Sequence, residues 1–219
     1  MGNDPVKGEN KMSTYVVFDL EMCKVPKGMA REKFPCAREL IEIGAVAMNE
    51  NYEIIDSFRT YVKPEHGRID PYIKNLTGIT QADVSNAPTA DIALKSFYNW
   101  LPPSSIFVTW SGHDIKQIER EIKYKSIDLP ELYNCLGNSI DCQVIFSEKM
   151  STKSAYRLSE ALSISNIDYD ESIHTAYADA KNTALLFAKT QVEEVLILSP
   201  YFMKQEELYM NRFDSFTRL

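Results

Sequence analysis

The sequence predicts an α/β fold, and three observations carry that prediction. Tyr15-Val-Val-Phe18 is a continuous β-branched and aromatic run, the pattern of a strand covered on both faces. Leu40–Met48 and Tyr52–Val62 are two more strand patterns, separated by the polar turn Asn49-Glu-Asn51, and so form a hairpin. Ser105–Trp110 and Ser139–Cys142 are short strand patterns, each running into a helical one. The order is therefore strand, hairpin, helices, strand, helix, strand, helix.

Length and composition agree. The chain has 219 residues, which suits one domain with a sizeable core, and 44% hydrophobic with 25% charged residues is the balance of a globular protein in water. No apolar run reaches membrane-spanning length, which predicts no membrane association. Residues 1–12 are polar without a secretory h-region and read as a leader or vector scar outside the fold. The main domain is expected over residues 13–199. Four cysteines lack C-x-x-C spacing, which argues against a zinc site or disulfide framework and fits the reducing cytoplasm. The net charge of −7 argues against wrapping long nucleic acid, but not against gripping a few terminal nucleotides.

Taken in order, the first strand ends in Asp19 and Glu21, which share a face because residues i and i+2 of a strand point the same way. Two carboxylates there repel each other unless a cation neutralises them, and oxygen ligands suit a hard ion such as Mg²⁺ or Mn²⁺. Lys24–Glu39 reads as a loop with a basic excess (Lys24, Lys27, Arg31, Lys33, Arg38) beside these acids. After the hairpin, Pro71–Asn75 is one helical turn, and Thr80 caps a short helix over Gln81–Val84. Ala87 begins a helix with Ile92, Leu94, Phe97, Trp100 and Leu101 on its apolar side, stopped by Pro102-Pro103. The strand Ser105–Trp110 ends at Ser111-Gly-His-Asp114, and Ile115, Ile118, Ile122 and Tyr124 give the next helix its apolar positions. Leu158–Leu162 is another short helix. Ala176–Glu194 is the longest, with Ala180, Ala184, Phe187, Ala188 and Val195 as its buried stripe. Residues 200–219 carry five aromatics and read as a helix docked on the body, with a protein partner as the other reading.

Four acids thus fall at element ends: Asp19, Glu21, Asp114 and Asp179. His174 precedes Asp179 by five residues, and on a helix that spacing would leave the two side chains about 140° apart. His174 is therefore expected in the loop, with Thr175 at the N-cap and Asp179 in the first turns.

These residues carry a resemblance. Phe18-Asp-Leu-Glu21, Gly112-His-Asp114 before a helix, and His174-Thr-Ala-Tyr-Ala-Asp179 resemble, in order, the three motifs of the DEDDh 3′–5′ exonucleases of the ribonuclease H-like fold. Thr175 stands where the tyrosine branch of that family has its tyrosine, so the chain is similar to the histidine branch. Leu76-Thr-Gly-Ile-Thr80 and the loop after the first strand most resemble the Eri-type group, which includes short-RNA and histone-message trimming enzymes and KapD-like proteins. Met22-Cys23 departs from the small residues many members have there.

The resemblance implies a mixed five-stranded sheet flanked by helices on both faces. It also implies a hydrolase that removes nucleoside 5′-monophosphates from single-stranded 3′ ends, RNA favoured over DNA. Asp19, Glu21, Asp114 and Asp179 would hold two divalent ions, Mg²⁺ or Mn²⁺, and His174 would act as general base. Met22, Leu76 and Thr77 would meet the terminal base, and Lys153 and Arg157 the backbone phosphates. A DNA exonuclease of proofreading type, or a regulatory protein-binding module that keeps the fold, are the alternative readings.

Overall fold

The computed structural model describes residues 14–169 and 174–204. The expectations for residues 1–12 and for the aromatics beyond residue 204 lie outside them. A five-stranded sheet has the order β3-β2-β1-β4-β5. Its strands are β1 (Thr14–Lys24), β2 (Arg38–Met48), β3 (Ile54–Tyr61), β4 (Ser105–Thr109) and β5 (Ser139–Asp141). β2 pairs antiparallel with both β1 and β3, whereas β4 runs parallel to β1 and to β5, so the sheet is mixed.

Both faces are covered, which is why β1 and β2 read as unbroken apolar runs. On one face Val16, Phe18 and Leu20 pack against α4 (Ala90–Trp100), α5 (His113–Tyr124) and α6 (Pro130–Leu136). On the other, Val17, Val46 and Val108 pack against α7 (Cys142–Lys149), α8 (Leu158–Ile164) and α9 (Ala176–Val192). A third group, Cys23, Ile41, Ile73, Ile79 and Val84, seats α2 (Pro71–Thr77) and α3 (Gln81–Ser85) beside the far end of β1. Burial of about 25 cal/mol per Å² of apolar surface on both faces of the central strands makes this sheet the stable core of the chain.

Several expectations need correction. β1 does not end at its acids; it runs on to Lys24, because β2 goes on pairing with it there. β3 starts at Ile54, since Asn49 Oδ1 accepts from the N–H groups of Asn51 and Glu53 (2.9 Å each) and folds residues 49–53 into a turn. The loop after β1 contains a helix, α1 (Met29–Lys33), whose flanking residues Val25, Phe34 and Cys36 form a small core of their own. α6 gave no sequence signal strong enough to be expected. Ile92, Tyr124 and Val195 are exposed rather than buried. For Val195 the reason is that α9 stops at Val192, where Glu193 turns extended. Residues 200–204 are helical, with Phe202 packed against the α8–α9 side and Tyr201 exposed.

Candidate active site

β4 pairs with β1 only as far as Val17. Beyond that point one edge of β1 is open, and the acids lie in the notch. Asp19 and Glu21 sit on the same face of β1, opposite Gly44 and Glu42 of β2. A register shift between Glu21 and Met22 turns Met22 away from the regular alternation. Asp114 lies in the first turn of α5, buried, where its carboxylate accepts a hydrogen bond from the Leu20 backbone N–H.

The fourth acid comes from α9. Its start lies directly on β2: a Cβ on Gly44 would fall 2.1 Å from the Tyr177 backbone nitrogen. Only glycine permits that approach. Glu42, fully buried on the same strand, fixes the helix from below. One of its oxygens accepts from the Ala176 N–H (3.1 Å) and the other pairs with Arg59 Nε (2.5 Å). Thr175 is the N-cap, its hydroxyl accepting from the Ala178 N–H at 3.2 Å. Asp179 then falls in the first turns. Carboxylate oxygens of Asp19, Glu21 and Asp179 lie within 4.8 Å of one another. Asp114 stands outside that trio, but its charge is the largest carboxylate influence on Asp19.

The electrostatics follow from this crowding. Burial, then the charges of Asp114, Asp179 and Glu21, push Asp19 well above the usual carboxylate range. Burial followed by Asp179 and Glu42 raises Glu21 to about 8. Asp114 rises to about 7 and Asp179 to about 6, each chiefly through burial. His174 opposes the rise at Asp179. The two line a cavity of about 140 Å³ with Leu158, Ser159 and Asn182. No lysine or arginine of the described residues makes an ion pair with any of the four acids. An oxygen-only donor set this short of positive charge fits hard divalent cations.

The expected substrate residues are placed less uniformly. Met22 lines a cavity of about 380 Å³ together with Lys24, Arg31, Arg38, Tyr72 and Ile73. Leu76 is partly exposed on α2, but Thr77 is buried. The Thr77 hydroxyl donates to the Ile73 carbonyl (2.9 Å) and accepts from the Ile79 N–H (3.1 Å), so it holds the turn at Gly78 rather than facing a ligand. Arg157 precedes α8, three residues of which line the His174 cavity, and Lys153 lies on the exposed stretch before it. Sequence reasoning missed Glu42, Gly44 and Asn182. The signal for the first two was present: a glutamate and a glycine inside the apolar run Leu40-Ile-Glu-Ile-Gly44.

Comparisons with known proteins agree with this geometry. The family model described as Exonuclease (RNase T) matches residues 16–187. The chain is 31% identical over 196 residues to ERI1 exoribonuclease 2 of Danio rerio, an alignment covering 78% of this chain and 35% of that protein. The chain thus spans about a third of the length of that curated relative. Among solved structures, the nuclease domain of 3′hExo, a DEDDh family member bound to rAMP, superposes with a TM-score of 0.66 at 22% identity. That match covers 87% of this chain and 98% of that one. A 3′-exonuclease recognising the histone mRNA stem-loop superposes with a TM-score of 0.69 at 21% identity, covering 86% and 67%. The likeness to both is one of fold.

Proposed function

The chain belongs to the exonuclease family of RNase T type, and from that premise we infer that it is a 3′–5′ exonuclease of the DEDDh kind. It removes nucleoside 5′-monophosphates from single-stranded 3′ ends, with RNA favoured. The observation that carries this reading is the convergence of Asp19, Glu21 and Asp179 within 4.8 Å at an open strand edge. The similarity to the zebrafish protein, an exoribonuclease by name, supports the preference for RNA.

Asp19, Glu21, Asp179 and Asp114 are the residues to hold divalent ions, two of them Mg²⁺ or Mn²⁺. When bound, such ions neutralise charge on the phosphoryl oxygens and lower the pKa of water. The chain's own groups do the rest. The imidazole of His174, beside Asp179, accepts a proton from the attacking water while neutral, a contribution of about 10²–10⁴-fold. Glu42 and Gly44 keep the start of α9, and with it His174 and Asp179, at one height over β1. Met22 and Leu76 offer apolar contact to the terminal base, which is tolerant of sequence. Lys153 and Arg157 contact backbone phosphates. The free thiols of Cys23, Cys36, Cys135 and Cys142 fit a cytoplasmic location.

The test is incubation of matched 5′-labelled RNA and DNA oligonucleotides with Mn²⁺, beside a circular RNA. Expected are single-nucleotide ladders from the 3′ end, faster on RNA, with the circle intact. Cutting of the circle, or no hydrolysis of either linear strand, would overturn the reading.

A further inference from the structure

On a chain of net charge −7, six cations line two cavities, three in each. Lys24, Arg31 and Arg38 line the cavity that Met22 opens onto. Lys116, Arg120 and Lys123 line a second, of about 490 Å³, on the outer face of α5, with Tyr124 and Tyr133. None of the six has a salt-bridge partner among the described residues. Each cavity has one carboxylate. Asp70 is already used as the N-cap of α2, and Glu119 is the other.

The walls of the two cavities pack against each other. Phe34, just after α1, packs edge-on against Tyr124 of α5, with ring centroids 6.3 Å apart. Cys36 next to it feels the charges of both Arg31 and Arg120. The series also begins at the acids: Arg38 is near enough to act on Glu21, and Lys116 follows Asp114 by two residues on the same helix. From Asp114 to Lys123 is nine residues of helix, about 13.5 Å along its axis. Exposed tyrosines beside unpaired cations suit a polyanion that also offers flat rings to stack. Tyr133 and Tyr124 are both exposed, and Lys123 Nζ already lies 5.1 Å above the Tyr124 ring.

We propose that Arg38, Arg31, Arg120, Lys116 and Lys123, with Tyr124 and Tyr133, form a track that holds the sugar-phosphate backbone of a nucleic acid upstream of its 3′ end. This rests on the exonuclease reading and deepens it. The acidity of the whole molecule conceals a locally basic path, so the net charge does not limit the substrate to its last few nucleotides. Phosphate contacts position without reading sequence, and RNA and DNA should occupy the track alike.

The experiment compares wild type with the exposed triple variant Lys116→Ala/Arg120→Ala/Lys123→Ala. Binding of a fluorescent single-stranded dodecamer is measured by anisotropy in Ca²⁺ across a salt series, and KM and kcat are measured in Mn²⁺ for the dodecamer and a dinucleotide. Lys95→Ala on α4 serves as the charge control. Expected is at least tenfold weaker dodecamer binding, with the slope of log K against log salt reduced by about 2, the value for three lost phosphate contacts on a single strand. The dodecamer KM should rise in proportion, with kcat and the dinucleotide KM within twofold of wild type. Equal dodecamer affinity and salt slope in wild type and triple variant would overturn the track while leaving the exonuclease reading intact. Salt-dependent binding by wild type, lost in the triple variant, without hydrolysis of any strand would do the reverse. Equal binding of wild type to phosphatidylserine vesicles and to the dodecamer would overturn the assignment to nucleic acid.

Discussion

Two groups of acids gather beside the same sheet, and they are handled differently. At one end of β2, Glu39 and Glu121 close around Lys125, at 2.6 and 3.0 Å. Glu39 also accepts from the backbone N–H groups of Glu65, His66 and Gly67, and Glu121 from that of Leu40. Lys125 holds Glu39 below the ordinary carboxylate range despite burial, whereas at Glu121 burial outweighs the same lysine and the carboxyl is raised. A few residues along, Asp19, Glu21, Asp114 and Asp179 have no such lysine, and all four are raised. A buried acid that meets its cation inside the chain is part of the scaffold. A half-buried acid cluster that meets none among the described residues is suited to a cation from outside.

The contrast can be broken from either side. The largest effect is expected for Asp19→Asn, which should cost at least about three orders of magnitude in turnover, the several kcal/mol that metal-borne charge stabilisation contributes. Its metal-free melting temperature should hold or rise, since one repelling charge is gone, and the upward shift that Mn²⁺ gives wild type should disappear. A melting curve lowered in chelator would put Asp19 in the scaffold class. His174→Ala should lose about 10²–10⁴-fold in kcat. Mn²⁺ should still raise its melting temperature, and loss of that shift would make His174 a ligand instead.

Lys125→Met attacks the other group. Leaving Glu39 and Glu121 buried without their cation should cost about 3–5 kcal/mol of stability, read by urea unfolding. An unchanged midpoint would show that these acids are no more internally neutralised than Asp19, Glu21, Asp114 and Asp179. Glu42→Gln, between the two groups, should lower kcat about tenfold through a shifted α9, with little change in Mn²⁺ affinity; wild-type kcat would remove it as a positioning residue.

The smallest effect sharpens the comparison by pH. Acids raised in the folded state contribute stability while protonated and lose it as pH climbs through their folded values. In chelator, stability should therefore decline from about pH 4, where the unfolded carboxyls ionise, and level off only above about pH 8, through Asp179 near 6, Asp114 near 7 and Glu21 near 8. Glu39, lowered, contributes fully above the ordinary carboxylate value and is lost only as pH falls below it. Mn²⁺ should flatten or invert the decline, because deprotonated ligands bind it better. A flat curve in chelator would mean the four acids do not crowd.

What the sequence made legible was local. The paired acids of β1, the Asp114 turn and the Thr175 N-cap each rest on spacing within a few residues. The short helices α1 and α6 were illegible because so few residues give little periodicity and neither is opened by a capping side chain, as Thr80 opens α3. Lys125, Glu39 and Glu121 were illegible for another reason: their pairing joins β2 to the end of α5, and nothing local in either stretch announces it. Gly44 belongs to the same class, since its need is set by a helix more than a hundred residues later.

That distance has a consequence for how the molecule is made. Asp19, Glu21 and Gly44 leave the ribosome early, and Asp179 arrives only when α9 is synthesised, several seconds later at about 5–20 residues per second. Until then the notch in β1 has no partner for its two acids, and the bed at Gly44 is empty. The newborn chain therefore cannot assemble all four acids until α9 has emerged, however early its sheet begins to form.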